Sequence, residues 1–83
     1  MQKVCVVLEV PAVEQSYDIM MPTYIEIGKA IDLLTGAVRE LSLGQYVRTG
    51  TEILCRRDGE QLLRRLATPA DYGIADGEHL ILF

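Results

Sequence analysis

One amphipathic helix lies between strand-like segments, and this pattern restricts the fold more than any other feature of the sequence. Its apolar residues recur at intervals of four and three: Ile27, Ile31, Leu34, Val38 and Leu41. This periodicity predicts a helix of about eighteen residues with one buried stripe. The preceding Thr23-Tyr24-Ile25-Glu26 matches a capping box and predicts where the helix begins. A single stripe needs a second layer to cover it, so we expect one sheet.

Two glycines, Gly28 and Gly36, interrupt the predicted helix. Each costs roughly 1 kcal/mol relative to alanine, which propensity alone would disfavour. Close packing of the helix on the sheet is the expected reason. The alternative is that one of the glycines marks an earlier end of the helix.

Strand patterns flank the helix on both sides. The predicted strands are Lys3–Val10, Ser16–Met21, Glu52–Arg57, Gln61–Arg64 and His79–Phe83. In the first strand, alternation directs Val4, Val6 and Leu8 toward the core. Asp58-Gly59 predicts a two-residue type I′ turn. The order β-β-α-β-β-β, with the first and last strands paired in parallel, predicts an α+β fold of the β-grasp type, a mixed sheet with one helix packed across it.

Length and charge limit what such a fold can do. The 83 residues make one domain, 1–83, whose 49% apolar residues are mostly needed for one core. A net charge of −4 argues against nucleic acid as a partner. The longest apolar stretch, Val4–Leu8, is far shorter than the ~20 residues of a membrane span, so we expect a cytoplasmic protein without membrane insertion.

Two segments carry a resemblance to a known family. The segment TPADYGIADGEHL, residues 68–80, resembles the turn and last strand of ubiquitin-like domains, most tellingly at Asp71-Tyr72-Gly73-Ile74. The helix segment YIEIGKAIDLL, residues 24–34, is similar to that of the YukD and EsaB proteins of the bacterial type VII (WXG100) secretion system. The resemblance covers nearly the whole chain. It implies a cytosolic accessory or regulatory protein that contacts other components of the secretion apparatus without conjugation.

The last residues bear on conjugation. Ubiquitin-type modifiers and sulfur carriers end in two glycines, because only glycine lets the backbone approach an activating enzyme closely enough. This sequence ends in Leu82-Phe83, within the last predicted strand. We therefore expect no conjugation. The alternative function is a modifier or sulfur-carrier relative with an atypical C-terminus.

Residue types that support catalysis or cofactor binding are sparse. His79 has no partner at a spacing typical of a catalytic triad, and it is expected to face solvent. Cys5 and Cys55 match no metal-ligand spacing and are two fewer than an iron–sulfur cluster requires, so we interpret them as reduced strand residues. The sequence thus predicts neither an enzyme nor a bound cofactor or metal.

The outer sheet face is the predicted protein-binding surface. If Ile53 and Cys55 point inward, their neighbours point outward beside the outer residues of the last strand. Ubiquitin-like domains typically bind partners through this surface, and exposed apolar side chains beside arginine suit a protein interface. The predicted contacts are Leu54, Arg56, Ile81 and Phe83, with Arg64 and Arg65 as a salt-dependent rim. A homodimer contact, or apolar residues merely scattered on the surface, is the alternative interpretation.

Overall fold

The first two strands form a long antiparallel hairpin. In the computed structural model, which describes residues 2–83, β1 (Lys3–Val10) pairs with β2 (Gln15–Pro22) along the full length of both strands. A 3₁₀ turn at Pro11–Val13 joins them, and Glu14 follows in the left-handed conformation with φ 53°. Val6 and Leu8 are fully buried, as the alternation of β1 predicts, and Val4 packs against the core.

The helix α1 (Ile27–Leu41) has 15 residues and begins later than the capping-box pattern predicts. That prediction is wrong because Thr23 is engaged elsewhere: its N–H donates to the carbonyl of Gln2, and its own carbonyl accepts the N–H of Ala70. The first helical N–H groups instead reach the chain beyond the fourth strand. Ile27 donates to Ala67 at 2.7 Å and Gly28 donates to Arg65 at 2.9 Å. Tertiary carbonyls thus take the place of a side-chain cap.

The buried stripe of α1 agrees with the predicted periodicity up to its last member. Ile27, Ile31, Leu34 and Val38 are buried, whereas Leu41 is 54% exposed at the end of the helix, so the burial expected for it is wrong. The two glycines also differ. A Cβ on Gly28 would lie 3.3 Å from the Arg65 guanidinium, but one on Gly36 would have no atom within 4 Å. Close packing therefore accounts for Gly28 only, and there it is packing against Arg65, beyond β4, and not against the sheet as predicted; neither glycine ends the helix.

The remaining strands are shorter than predicted. They are β3 (Leu54–Arg56), β4 (Gln61–Leu62) and β5 (His79–Leu82). The sheet order is β2-β1-β5-β3-β4, with β1 and β5 parallel and the other pairs antiparallel. This confirms the β-grasp arrangement predicted from the element order.

Turns fix the positions of the short strands. The β3–β4 connection is a four-residue loop from Arg57 to Glu60 in place of the predicted type I′ turn, with φ 77° at Gly59 and φ 50° at Glu60. Before β5, the Asp76 carboxylate accepts the N–H of Cys5 at 2.8 Å, and the N–H of Gly77 donates to the Cys5 carbonyl at 2.8 Å. The turn thereby continues the β1–β5 pairing beyond the strand itself.

A buried carboxylate organises the long connection between α1 and β3. Glu52 is 3% exposed and accepts hydrogen bonds from the Tyr46 hydroxyl at 2.8 Å and from the N–H groups of Thr49 and Gly50 at 2.8 and 3.0 Å. Burial alone would raise the pKa of Glu52, but these donors outweigh it and lower the pKa to about 2. Burial, followed by the hydrogen bond to Glu52, raises the pKa of Tyr46 to about 12.

Candidate functional site

The outer face of the sheet, opposite α1, is the candidate site. Cross-strand pairing fixes which side chains share it: Cys55 pairs with Ile81 in β5 and with Leu62 in β4. The next residues, Ile53 and Phe83, exchange two backbone hydrogen bonds of 3.1 and 3.0 Å. Because paired residues project to the same side of a sheet, these five side chains form one surface, which we call the apolar face.

Much of the apolar face is open to solvent. Phe83 is 57% exposed, Leu62 is 55% exposed and Ile53 is 43% exposed, whereas Cys55 and Ile81 are half-buried between them. A pocket of about 260 Å³ is lined by Cys55, Ile81 and Phe83 together with the charged residues Arg56 and Glu60. The exposed side chains surround a partly sheltered centre, which is an arrangement suited to receiving an apolar side chain of another protein.

Charged residues continue the same face toward β1. Arg57 Nη1 lies 3.1 Å from Glu9 Oε2, and His79 Nδ1 lies 3.5 Å from the same carboxylate oxygen. All three side chains are partly exposed, in agreement with the solvent-facing position expected for His79. The apolar face is therefore bordered on one side by a charged row of both signs.

The predicted orientation of β3 is wrong by one residue. Leu54 is fully buried and pairs with Leu82 on the helix side, so it cannot be an exposed contact. Arg56 shares that side, opposite Leu80. Its guanidinium is bound by the Glu78 carboxylate, at 3.0 Å from Nη2 to Oε1, and lies 3.3 Å from Gln61 Oε1. A one-residue shift of register exchanges the two faces of a strand, so Ile53, Cys55 and Arg57 replace these two residues on the outer face.

The pairing of Arg56 and Glu78 has an electrostatic signature in both groups. The hydrogen bond with Arg56 lowers the pKa of Glu78, and the same bond raises the pKa of Arg56. The two side chains are only 22% and 15% exposed. The Arg56 guanidinium is therefore held next to the start of β5, while Arg56 also lines the pocket beside Ile81 and Phe83, and its role in binding remains a prediction.

The two rim arginines lie near other elements. The Arg65 carbonyl receives the N–H of Gly28, and its guanidinium lies against the start of α1, on the helix side of the sheet. Arg64 is held through its own N–H, which donates to the Tyr72 hydroxyl at 2.8 Å. The structure brings neither residue into contact with Ile81 or Phe83, and a role for them in binding remains a prediction.

Residues 2–83 hold no cluster of three or more histidine, cysteine, aspartate or glutamate residues placed to bind a metal ion. Within that range, α1 is too short and too polar to cross a membrane. Cys5 and Cys55 are free thiols, both half-buried on the outer face.

A family model identifies the family, and solved structures show the fold. The family model described as "WXG100 protein secretion system (Wss), protein YukD" matches residues 5–82. A search of curated proteins gave no match. Among solved structures, the ubiquitin-like domain of EccD5 from Mycobacterium xenopi superposes with a TM-score of 0.79 at 21% identity, covering 100% of this chain and 94% of that domain.

Two further structures extend the comparison. The ubiquitin-like domain of the Mycobacterium tuberculosis type VII secretion protein ECCD1 gives a TM-score of 0.75 at 21% identity, covering 99% and 98% of the two chains. The ubiquitin-like domain of Plasmodium falciparum Dsk2 gives 0.70 at 14% identity, covering 99% and 100%. At these identities the structural likeness establishes a ubiquitin-like fold.

Proposed function

This chain belongs to the YukD family of the WXG100 protein secretion system, and we propose that it is a non-conjugating, non-enzymatic adaptor that binds a protein partner through the apolar face. The partner is a component of the secretion apparatus, and the contact is made in the cytoplasm. The protein serves there as an accessory or regulatory component. The observation that carries the proposal is the exposure of Phe83, Leu62 and Ile53 together on one side of the sheet.

Exposed apolar side chains gathered on one surface favour a protein partner over a small molecule. The pocket beside Ile81 and Phe83 has a volume of about 260 Å³, which is smaller than most small-molecule sites and suits one inserted side chain. Aromatic residues that keep free surface in the unbound protein commonly become the anchors of interfaces. Phe83 is therefore expected to contribute most of the binding energy.

The charged row gives a second, separable contribution. Arg57 and Glu9 are 50% and 32% exposed in their side chains, so a partner with complementary charges meets them before the apolar contact closes. Such peripheral charges alter the association rate and its salt dependence more than they alter the dissociation rate. We expect Arg57→Glu to slow association, and we expect Phe83→Ala to speed dissociation.

The test is recovery of the partner from native cells with a tagged chain, by mass spectrometry under mild and under fully denaturing conditions. Wild type should retain secretion components that are lost on denaturation. Phe83→Ala and Ile53→Ala should lose them. Leu66→Ala is the matched control. Leu66 is also an exposed leucine, at 84%, but it lies in the segment that contacts the start of α1 and not on the apolar face.

Two results would contradict the proposal. Adducts that survive denaturation would indicate covalent conjugation in place of reversible binding. Equal recovery of the partner by wild type, Phe83→Ala and Ile53→Ala would show that the apolar face is not the binding surface, because these side chains would then contribute nothing to the affinity.

A further inference from the structure

A strained leucine lies just beyond the C-terminus of α1. The N–H of Gly44 donates to the Arg39 carbonyl at 2.8 Å and the N–H of Leu43 donates to the Glu40 carbonyl at 3.1 Å, the two bonds of a Schellman motif. Leu43 occupies the position that takes a left-handed conformation, with φ 55°, where glycine is the usual residue. Its side chain is also 93% exposed. The fold gains nothing visible from leucine here, whereas glycine would relieve the strain.

The exposed side chain of Leu43 lines a groove on the protein surface. Leu41, 54% exposed, and Leu43 line a groove of about 240 Å³ together with the polar residues Ser42 and Gln45. Gln15 and Tyr17, at the beginning of β2, line the opposite side. Strain at a residue whose side chain contributes to a surface groove is typical of a functional position. We refer to the groove that these residues line as the edge groove.

The edge groove borders an unpaired strand. β2 is the outermost strand of the sheet. In β1, the Val7 N–H and the Cys5 carbonyl form hydrogen bonds toward β5, with Glu78 and Gly77. Val7 pairs with Asp18, and Cys5 pairs with Met20.

In antiparallel pairs of this kind the backbone groups of the two residues point away from each other. Asp18 and Met20 therefore present their N–H and C=O groups to the open edge, and Ser16 does the same by the two-residue period. The open edge of β2 offers a ladder of hydrogen-bonding groups to an additional strand.

Charge indicates which kind of strand fits. Asp18 and Glu14 are the acidic residues of β2 and of the turn before it, and within residues 2–83 neither forms an ion pair. A second copy paired antiparallel about Asp18 would bring two like charges together, which disfavours self-association. A strand carrying lysine or arginine opposite Asp18 would be stabilised instead.

We propose that the open edge of β2 and the edge groove bind an extended, basic peptide segment of a protein partner, which adds a sixth strand to the sheet. The side chains of the bound segment alternate between two environments. One set faces the helix side and is apolar, because it meets Leu41 and Leu43. The other set faces the outer side and includes a lysine or arginine beside Asp18. This site is distinct from the apolar face, which lies on β3, β4 and β5.

The test uses a displayed library of random peptides of about ten residues, the length of a long strand, selected against the full chain. Selected peptides should alternate apolar and basic residues. Their affinity should fall roughly tenfold in Leu43→Gly, which removes one of the two leucine side chains that line the groove. Leu43→Gly should also have a higher urea midpoint than wild type, so that the lost affinity cannot be attributed to unfolding.

Further variants and one spectroscopic measurement separate strand addition from other contacts. Ser16→Pro removes an outward N–H without touching the pairing with β1, since proline is tolerated on sheet edges, and it should weaken binding. Asp18→Lys should reverse the preference for basic peptides, and Phe83→Ala should leave affinity unchanged. By NMR, the amide hydrogens of Asp18 and Met20 should exchange rapidly in the free protein and slowly with bound peptide.

Several outcomes would overturn the proposal. Peptides whose binding is unaffected by Leu43→Gly and Ser16→Pro would place the site elsewhere, as would loss of binding in Phe83→Ala. Protection of the Asp18 and Met20 amides that rises with protein concentration alone would identify a second copy as the occupant. Binding that perturbs Leu43 without protecting those amides would indicate a helical ligand. Failure of the library to yield any binder that depends on Leu43 would also refute it.

Discussion

Replacement of Glu52 by glutamine tests the most consequential buried polar group in this fold. The Glu52 carboxylate accepts three hydrogen bonds at 2.8 to 3.0 Å and is 3% exposed. Glutamine keeps the size of the side chain but has one acceptor oxygen, and its NH₂ group would face the N–H donor of either Gly50, which binds Oε1 in the wild type, or Thr49, which binds Oε2. The variant therefore removes the charge and part of the acceptor capacity that hold the connection between α1 and β3.

The expected magnitude follows from the pKa of Glu52, which is lowered from 4.5 to about 2. Because each tenfold change in proton affinity corresponds to about 1.4 kcal/mol, the ionised carboxylate stabilises the folded state by about 3 kcal/mol. A lowered pKa gives a contribution that is complete above pH 4.5 and is lost as the pH falls toward 2. Glu52→Gln should lose about 3 kcal/mol near pH 7 and should be no less stable than wild type near pH 2.

Urea unfolding, followed by circular dichroism at several pH values between 2 and 7, measures how the difference in free energy of unfolding between wild type and Glu52→Gln shrinks as the pH falls. Glu40→Gln is the control, because Glu40 is an exposed helix residue, and this variant should keep the wild-type free energy of unfolding near pH 7. If Glu52→Gln loses stability in parallel with wild type between pH 4.5 and 2, Glu52 is not the group that titrates. A loss near pH 7 much smaller than 3 kcal/mol would show that the three hydrogen bonds add little to stability.

Three further predictions concern stability. Leu54→Ala should cost about 3 kcal/mol in urea unfolding and Ile53→Ala about 1 kcal/mol or less, and the reverse order would contradict the orientation of β3. Gly36→Ala should raise the free energy of unfolding by about 1 kcal/mol, because alanine favours the helix and its Cβ would have no atom within 4 Å. A lower free energy of unfolding would mean that the added Cβ clashes with a neighbour. In an absorbance titration, Tyr46 should ionise near pH 12, at a higher pH than an exposed tyrosine. The free energy of unfolding should fall between pH 10 and 12 in the wild type, and Tyr46→Phe should lack the contribution of Tyr46 to this fall.

The parts of the fold that sequence patterns predict well are those where only one solution satisfies the pattern. In β1 the charged Glu9 marks the outer face, so the period of two places Val6 and Leu8 on the buried face. The stripe of α1 can be covered only by a sheet, and a parallel pairing of β1 with β5 follows from the order of the elements. Strong and unambiguous periodicity therefore sufficed for the overall architecture.

The orientation of β3 could not be predicted, because its pattern favours the wrong face. Glu52, Leu54 and Arg56 share one parity, and two charges beside one leucine indicate an outward face. In the folded chain both charges have partners that lie far away in sequence or within a loop: Glu78 binds Arg56, and the loop donors bind Glu52. The compensation is tertiary, and no local window of sequence contains it.

The start of α1 was mispredicted for a related reason. A capping box describes how side chains satisfy free helical N–H groups, but tertiary carbonyls can do the same. Here the carbonyls of Arg65 and Ala67 receive the N–H groups of Gly28 and Ile27. The position of that segment depends on the short strand β4 before it, so the helix boundary depends on long-range packing.

The two proposed binding surfaces lie on different strands, and their separation has a thermodynamic consequence. Only β1 lies between β2 and β5, the nearest strand of the apolar face, which at about 4.8 Å per strand places the open edge roughly 10 Å from that face. Sites this far apart without shared contacts usually contribute additively. A peptide bound along Asp18 should therefore leave the affinity of the partner at Phe83 unchanged, and one chain could hold two ligands together. A measured dependence of one affinity on the other would instead require a conformational change transmitted through β1 and β5.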